Sequence, residues 1–370
     1  MRFQPRARRQ VEALKDSYNV SICCTDNKGY EEYPHIAIPN SRTSSLKRFS
    51  SIFFALVHNF EKAYWSRQIC KDALAALNKS NEQFDLIIAH DYYTLPVVLE
   101  FANKKNVKIL YDAHEYAPLQ YENELKFRLF MKQIVEYICK KYIPKVDSMV
   151  TVGYKIAEKY KQDTGVTSEI ILNAPKYINL SISKVSNLQK IRLVHHGLAY
   201  STRGIDNIIE MLKTLDTKFE IHLYLVGSQE AIDKIKEYSK VDHRLFVHDP
   251  VAVEDISREI NQYDIGIIPW KPVTFNLEHA FPNKFFEYIQ ARLGIALLGP
   301  YSDMSKVVKE YQNGIIGSQD YSPAYLARKL NLLTVSEINQ FKLASNDAAR
   351  KLNADVDAEK LRKIIKELLP

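Results

Sequence analysis

Three short stretches carry side chains that could do chemistry. The run Pro282-Asn283-Lys284 stands directly ahead of a helical pattern in which Phe285, Tyr288, Ile289 and Leu293 share one face and Gly294 supplies a stop. The start of a helix exposes unpaired N–H groups and about half a positive charge, so it attracts anions, phosphate above all. Pro282 suits the first helical position, because its missing N–H would have no partner there. Asn283 and Lys284 add an amide and a full positive charge at the same place. Glu287, one turn further in, can accept hydrogen bonds from a vicinal diol such as that of a ribose. Lysine for phosphate and carboxylate for ribose make a nucleotide site; the alternative is a capped surface helix with an incidental Lys/Glu pair.

The second stretch is "HHGLAYSTRG", residues 195–204. An apolar run ends at His196-Gly197, a loop follows, and Arg203-Gly204 opens the next helical pattern. Gly197 permits close approach of the backbone. Arg203 can grip phosphate with several donors in a fixed fork, or face solvent as a helix-start arginine. The third stretch is polar residues after two buried-strand patterns, His90-Asp91 and His114-Glu115.

These residues need elements to position them. Apolar runs such as "FDLIIAHD", "VKILYDAHEYAP", "IRLVHHG", "EIHLYLVG" and "YDIGIIPW" alternate with helical patterns, which predicts an α/β protein with mainly parallel sheets. Residues 176–190 lack periodicity and read as a linker. We therefore expect an N-terminal doubly wound domain over 1–178, a second over 190–352, and a C-terminal helix over 353–370 that packs back on the first. In such folds ligands sit outside the carboxyl ends of the strands. Residues Leu46 to about Leu77 read as long helical material, and Tyr121–Tyr142 as one long helix.

The 370 residues suffice for two cores, and 46% hydrophobic with 26% charged residues is ordinary for a globular protein. Cys23, Cys24, Cys70 and Cys139 show no metal-site spacing; the adjacent pair reads as buried thiols, and a reducing compartment fits. No apolar run follows the basic start as in a secretory signal, and "IFFALV" is far short of the ~20 residues that span a bilayer. A cytoplasmic, non-integral protein is expected. Residues 1–180 hold 26 Lys+Arg against 20 Asp+Glu, and the remainder 25 against 24. A basic first half, with the basic and apolar segment Leu46–Arg67, allows attachment to an anionic membrane surface; a core helix is the alternative. Arg6, Arg8 and Arg9 lack the interleaved aromatics of a nucleic-acid site. Asp355 and Asp357 imitate a metal-binding D-x-D but read as a solvated surface. His195, His243 and His248 read as structural, and Trp270 as core or cleft wall.

Together, "FDLIIAHDYYTLP", "ILYDAHEYAP", "VDSMVTVGYKIAEKY", "LNAP", "HHGLAYSTRGIDNII", "LYLVGS", "YDIGIIPW" and "NLEHAFPNKFFEYIQARLGIAL" resemble, in order and spacing, the GT-B glycosyltransferases of family 4. The resemblance implies two Rossmann-like domains facing across a cleft. It implies retaining transfer of a hexosyl unit from a nucleotide sugar to a saccharide or lipid-linked saccharide acceptor, as in bacterial cell-surface polysaccharide or glycolipid assembly. It implies no metal or other cofactor; the basic, apolar first half adds an expected peripheral membrane location, and no nucleic-acid partner is expected. Arg203 and Lys284 fall where the family contacts the donor diphosphate, with Gly197 in the loop beneath it and Asn283 beside the lysine. Glu287 matches the family's ribose-binding glutamate, and His114 a histidine near the reacting sugar. Leu198 stands where an arginine is common, and His279 where a first glutamate is common, so Glu278 is expected to substitute. The apolar strand and glycine-bearing loop that open such a domain have no counterpart before Pro5, and an upstream segment is expected to carry them. A GT-B nucleotide-sugar 2-epimerase and a non-catalytic, membrane-associated binding protein remain as alternatives.

Overall fold

The computed structural model describes residues 5–40, 45–200, 204–279 and 281–369. The chain forms two compact units. One comprises Met1–Leu172, Val273–Ala280 and Asp355–Pro370, the other Asn173–Pro272 and Phe281–Ala354. The first is thus discontinuous: it takes back eight residues from the middle of the second half and the last helix.

The first unit contains β1 (Ile22–Cys24), β2 (His35–Ala37), β3 (Leu86–His90), β4 (Lys108–Ala113), β5 (Ser148–Thr151) and β6 (Glu169–Ile170). The second contains β7 (Ile191–Leu198), β8 (Phe219–Val226), β9 (Leu245–His248), β10 (Ile265–Ile268), β11 (Gly294–Leu297) and β12 (Gly314–Ile316). Every described pairing is parallel. The α/β reading with parallel sheets therefore holds, and for the reason it was legible: strands covered on both faces need apolar residues at every position.

In the second unit the order is β12-β11-β10-β7-β8-β9. Successive strands step outward from β7 to one side and from β10 to the other, so the winding reverses between β7 and β10. The helix anticipated after Pro282 is present as Asn283–Gln290, with Pro282 as its N-cap in extended geometry rather than as its first residue. Its end differs from the expected one. The helix stops at Gln290, Arg292 turns the chain with φ +60°, and Gly294 opens β11 instead of ending the helix. Phe285, Phe286, Tyr288 and Ile289 are all fully buried, so the helix is central and not one-sided. The predicted linker has no regular secondary structure, and Val185 exchanges two hydrogen bonds with Asn339 there.

The first unit has two parallel sheets, β1-β2 and β3-β4-β5-β6. No described strand bridges β1 and β3. The helix Pro5–Leu14 and the closing helix Ala354–Leu368 share a cluster of Leu14, Leu110, Val150, Ile171, Leu361, Ile364 and Ile365. Asp357 corrects the solvated reading of the D-x-D: it lies in the first turn of the closing helix, is buried, and accepts from the Leu172 N–H at 2.9 Å. Only Cys24 of the adjacent thiols is buried, because alternate strand residues face opposite ways; Cys23 is exposed. The stretch 46–77 divides into three helices, Ser45–Leu56, Phe60–Trp65 and Gln68–Lys79. Within 121–142 the helix starts only at 125, where two helical residues and a π-turn over Phe127–Met131 lead into Lys132–Tyr142. Among the described residues no helix is long and apolar enough to cross a membrane.

Candidate active site

In the second unit the residues singled out meet at the carboxyl ends of β7 and β10, where the winding reverses. Gly197 lies near the end of β7 with φ +129°, a conformation that L side chains rarely adopt. A Cβ there would stand 2.8 Å from Lys284 Nζ, so the missing side chain makes room for an ammonium group. Lys284 is the second residue of the helix Asn283–Gln290, and its charge therefore adds to the exposed N–H groups of that terminus. Gly204, N-cap of the helix Ile205–Leu212, has φ +83°, and a Cβ would come within 2.5 Å of the Pro269 carbonyl. The loop after β10 and this helix start can touch only because of that glycine. Arg203 lies outside the described residues.

Two histidines hold the lysine and the glutamate. His195 is fully buried, and its Nδ1 is 3.0 Å from the Ile267 carbonyl oxygen. A carbonyl only accepts, so Nδ1 carries the proton and Nε2 presents a lone pair to Lys284 Nζ at 3.4 Å. Burial, and then the Lys284 charge, hold His195 well below the usual histidine pKa. The structural role expected for His195 is thus specific: it aims the lysine. Trp270 forms the wall beneath, its ring centroid 5.4 Å from Nζ. Glu287 is buried, with Oε2 3.2 Å from His196 Nε2, though not aligned as a hydrogen bond. Burial lowers the His196 pKa against the raising effect of Glu287.

In the first unit His114 follows β4 and meets a cluster that sequence reasoning touched only through His90-Asp91. His90 Nδ1 and His114 Nε2 are 3.0 Å apart, and each is 3.4 Å from Asp112 Oδ2. Asp112 is fully buried. Arg6 Nε donates to its two oxygens at 3.0 and 2.8 Å and a terminal nitrogen to Oδ1 at 2.7 Å, while Gln10 Nε2 donates to Oδ2 at 2.6 Å. Burial would raise the Asp112 pKa, but the Arg6 charge and the histidines hold it well below the carboxylate range. His114 is opposed by burial, yet Asp112 and Asp91 raise its pKa. Asp91 has φ 62° and ψ 158°, a region almost reserved for glycine, and its N–H bonds the Asp112 carbonyl. Strain of this kind collects at functional sites. Arg6, read from sequence only as lacking a nucleic-acid pattern, is buried in this network.

The donor atoms of His90, Asp112 and His114 lie close enough together to hold a metal ion. The Arg6 fork on the same carboxylate opposes a second cation there. Glu278 lies in the short helix Phe275–His279, which is fastened within the first unit by Asn276: its Oδ1 accepts from the Tyr116 N–H at 2.8 Å and its Nδ2 donates to the Tyr116 carbonyl at 3.1 Å. The first unit also exposes large apolar side chains, Phe53, Leu56 and Val57 from and after the Ser45 helix and Leu125 and Leu129 from the adjoining turn.

No protein-family model matches the chain, and no curated protein matches its sequence. Solved structures do match it in fold. Sucrose-phosphate synthase from Thermosynechococcus elongatus aligns with a TM-score of 0.72 at 12% identity, over 98% of this chain and 92% of that one. Anabaena HepE in complex with UDP and glucose aligns with a TM-score of 0.68 at 11% identity, over 98% and 95%. S. aureus TarM, in a complex containing UDP, aligns with a TM-score of 0.60 at 15% identity over 80% of this chain; the chain spans only 58% of TarM. At such identities the likeness is one of fold, and the fold is GT-B, with two Rossmann-like domains.

Proposed function

We propose that this protein is a glycosyltransferase that moves a hexosyl unit from a nucleoside-diphosphate sugar to an acceptor hydroxyl with retention, in assembly of a cell-surface polysaccharide or glycolipid. One observation carries the reading: Lys284 Nζ is held over side-chain-free Gly197 at the reversal point of the sheet, on the positive end of a helix. That is a place for a diphosphate, and its charge would stabilise the departing one. Glu287 would serve the ribose, with Asn283 and Arg203 assisting at the phosphates. His114 and Glu278 would serve the sugar and the saccharide or lipid-linked acceptor. Structures sharing the fold include complexes with UDP and glucose, which supports a nucleotide-sugar donor. These positive groups would take the part a metal plays elsewhere, so transfer should persist in excess chelator.

Calorimetric titration with UDP and GDP tests the site. Lys284→Ala and Glu287→Ala should each weaken binding by ~1–3 kcal/mol, the worth of a lost charge-assisted bond. Unchanged affinity in both folded variants would remove the nucleotide reading.

A further inference from the structure

The first unit covers most of its tyrosines at least in part. Among the described residues three are exposed there: Tyr93 at 39%, Tyr121 at 47% and Tyr154 at 51%. They share one edge of the sheet. Tyr93 sits in the turn Tyr92–Thr94 that leaves β3, Tyr121 in the loop that leaves β4, and Tyr154 at the first position of the helix Tyr154–Thr164 that leaves β5. The sheet order is β3-β4-β5-β6, so the three rings stand in the loops at the carboxyl ends of three neighbouring strands. Two of the rings are braced. Tyr93 meets the Tyr92 ring edge to face at 5.7 Å, and its carbonyl accepts from the buried Tyr64 hydroxyl at 2.6 Å. Tyr121 meets Phe127 edge to face, also at 5.7 Å. Braced rings lose little further freedom when a ligand covers them. Carboxylates stand among them. Burial, and then the Asp91 charge, push the Tyr93 hydroxyl pKa up; burial, then Glu115, Glu124 and Asp91, do so at Tyr121. Asp91 Oδ1 lies 3.7 Å from His114 Nδ1, which joins this edge to the histidine cluster.

The geometry points to a platform for an oligosaccharide: Tyr93, Tyr121 and Tyr154 stack on successive sugar rings, and the Asp91 and Glu115 carboxylates accept hydrogen bonds from the sugar hydroxyls. The proposal rests on the transferase reading above and narrows its acceptor to a saccharide chain of two or more units, as against a single sugar or a small alcohol. A pyranose is apolar on its C–H faces and polar around its rim. A tyrosine ring supplies the matching flat apolar face, and a carboxylate supplies charge-assisted acceptors for the rim. The spacing fits a chain. Neighbouring strands lie ~4.8 Å apart, so loops from three of them span about 10 Å, the length of a di- or trisaccharide. The charge selects the same occupant. An anionic lipid surface attracts basic residues, and Asp91, Glu115 and Glu124 beside these rings would repel it.

The probe is a printed array of mono- to hexasaccharides, read with the fluorescently labelled full chain and without nucleotide. The parent should bind saccharides of two or more units and leave their monosaccharides unbound. Tyr93→Ala, Tyr121→Ala and Tyr154→Ala should each weaken binding of the best-bound oligosaccharide roughly fivefold or more, whereas Tyr→Phe at the same positions keeps the ring and should stay within about twofold. Since the three side chains are exposed, the variants should melt with the parent. No saccharide bound by the parent, monosaccharides bound as well as longer chains, or folded alanine variants that bind like the parent would each overturn the proposal. UDP titration of the parent runs in parallel. UDP bound without any saccharide refutes the platform alone, and saccharide bound without UDP refutes the transferase reading alone. Weaker binding of the alanine variants to phosphatidylglycerol vesicles, with saccharide binding unchanged, would assign the tyrosines to a membrane surface and overturn the platform equally.

Discussion

Replacing Arg6 by methionine should unfold the first unit far more readily than its position at the start of the chain implies. The guanidinium makes three charge-assisted contacts with Asp112 and a fourth, of 2.7 Å, with the Ile171 carbonyl. Methionine fills much of the volume but leaves a fully buried carboxylate with Gln10 and two histidines. Breaking one side of a buried ion pair costs ~3–5 kcal/mol, most of it the desolvation of the charge left behind. The cost should depend on pH. Arg6 repels a proton from His114, so its loss raises the His114 pKa further, and a protonated histidine can then replace the missing charge. Stability carried by a raised histidine is present below its unfolded pKa and is lost as pH rises through the folded one. The variant should therefore lose ~4 kcal/mol at pH 8 and ~2 kcal/mol at pH 5. The chain has two tryptophans, Trp65 in the first unit and Trp270 in the second. Urea unfolding followed by fluorescence in a Trp270→Phe background reports the first unit alone. A loss below ~1 kcal/mol at pH 8, or an equal loss at both pH values, would show that Arg6 does not neutralise Asp112.

Gly197→Ala should shift Lys284 from its seat, strain the backbone, and weaken UDP binding at least tenfold, about 1.4 kcal/mol; titration reads it, and unchanged affinity would separate Gly197 from the site. Lys342 is fully buried, and burial holds its pKa at about 8, against partial support from Asp264. Between pH 8 and its ordinary 10.5 the folded state binds fewer protons than the unfolded one, so this lysine should add up to ~3 kcal/mol of stability as pH rises. Lys342→Met should abolish that slope; parallel slopes in variant and parent would refute the assignment. Anionic vesicles should bind the protein at low salt and release it at high salt, and Phe53→Ser with Leu56→Ser should reduce co-sedimentation several-fold. No binding at low salt would end that reading.

What the sequence shows and what it hides divide by range. The run "VKILYDA" is legible as a buried strand because each residue needs an apolar neighbour whatever the topology. The Asn283 helix is legible to within one residue at its start, where local chemistry decides. Its end is not, because Arg292 and Gly294 answer to packing: a Cβ on Gly294 would lie 3.2 Å from Phe341 Cβ. Arg6 and Asp112 stand 106 positions apart, and no local pattern announces such a pair. His195 is similar, since its task depends on a carbonyl 72 residues away. Asp357 looks solvated in a charged helix until Leu172, 185 residues earlier, needs an acceptor.

The discontinuity of the first unit bears on how the protein is made. Its first 172 residues leave the ribosome early, but their core is completed by Leu361, Ile364 and Ile365, and Tyr116 finds Asn276 only later still than its own neighbours. At ~5–20 residues per second, about 200 residues remain to be synthesised, so the opening segment waits on the order of 10–40 s for its last pieces. The second unit, lacking only its short internal detour and complete by Ala354, can close while the first is still open. Birth order and maturation order are therefore reversed. During that interval the apolar faces of Leu110 and Val150 stand uncovered by the closing helix, which makes a nascent chain cut short before residue 355 a natural client for chaperones.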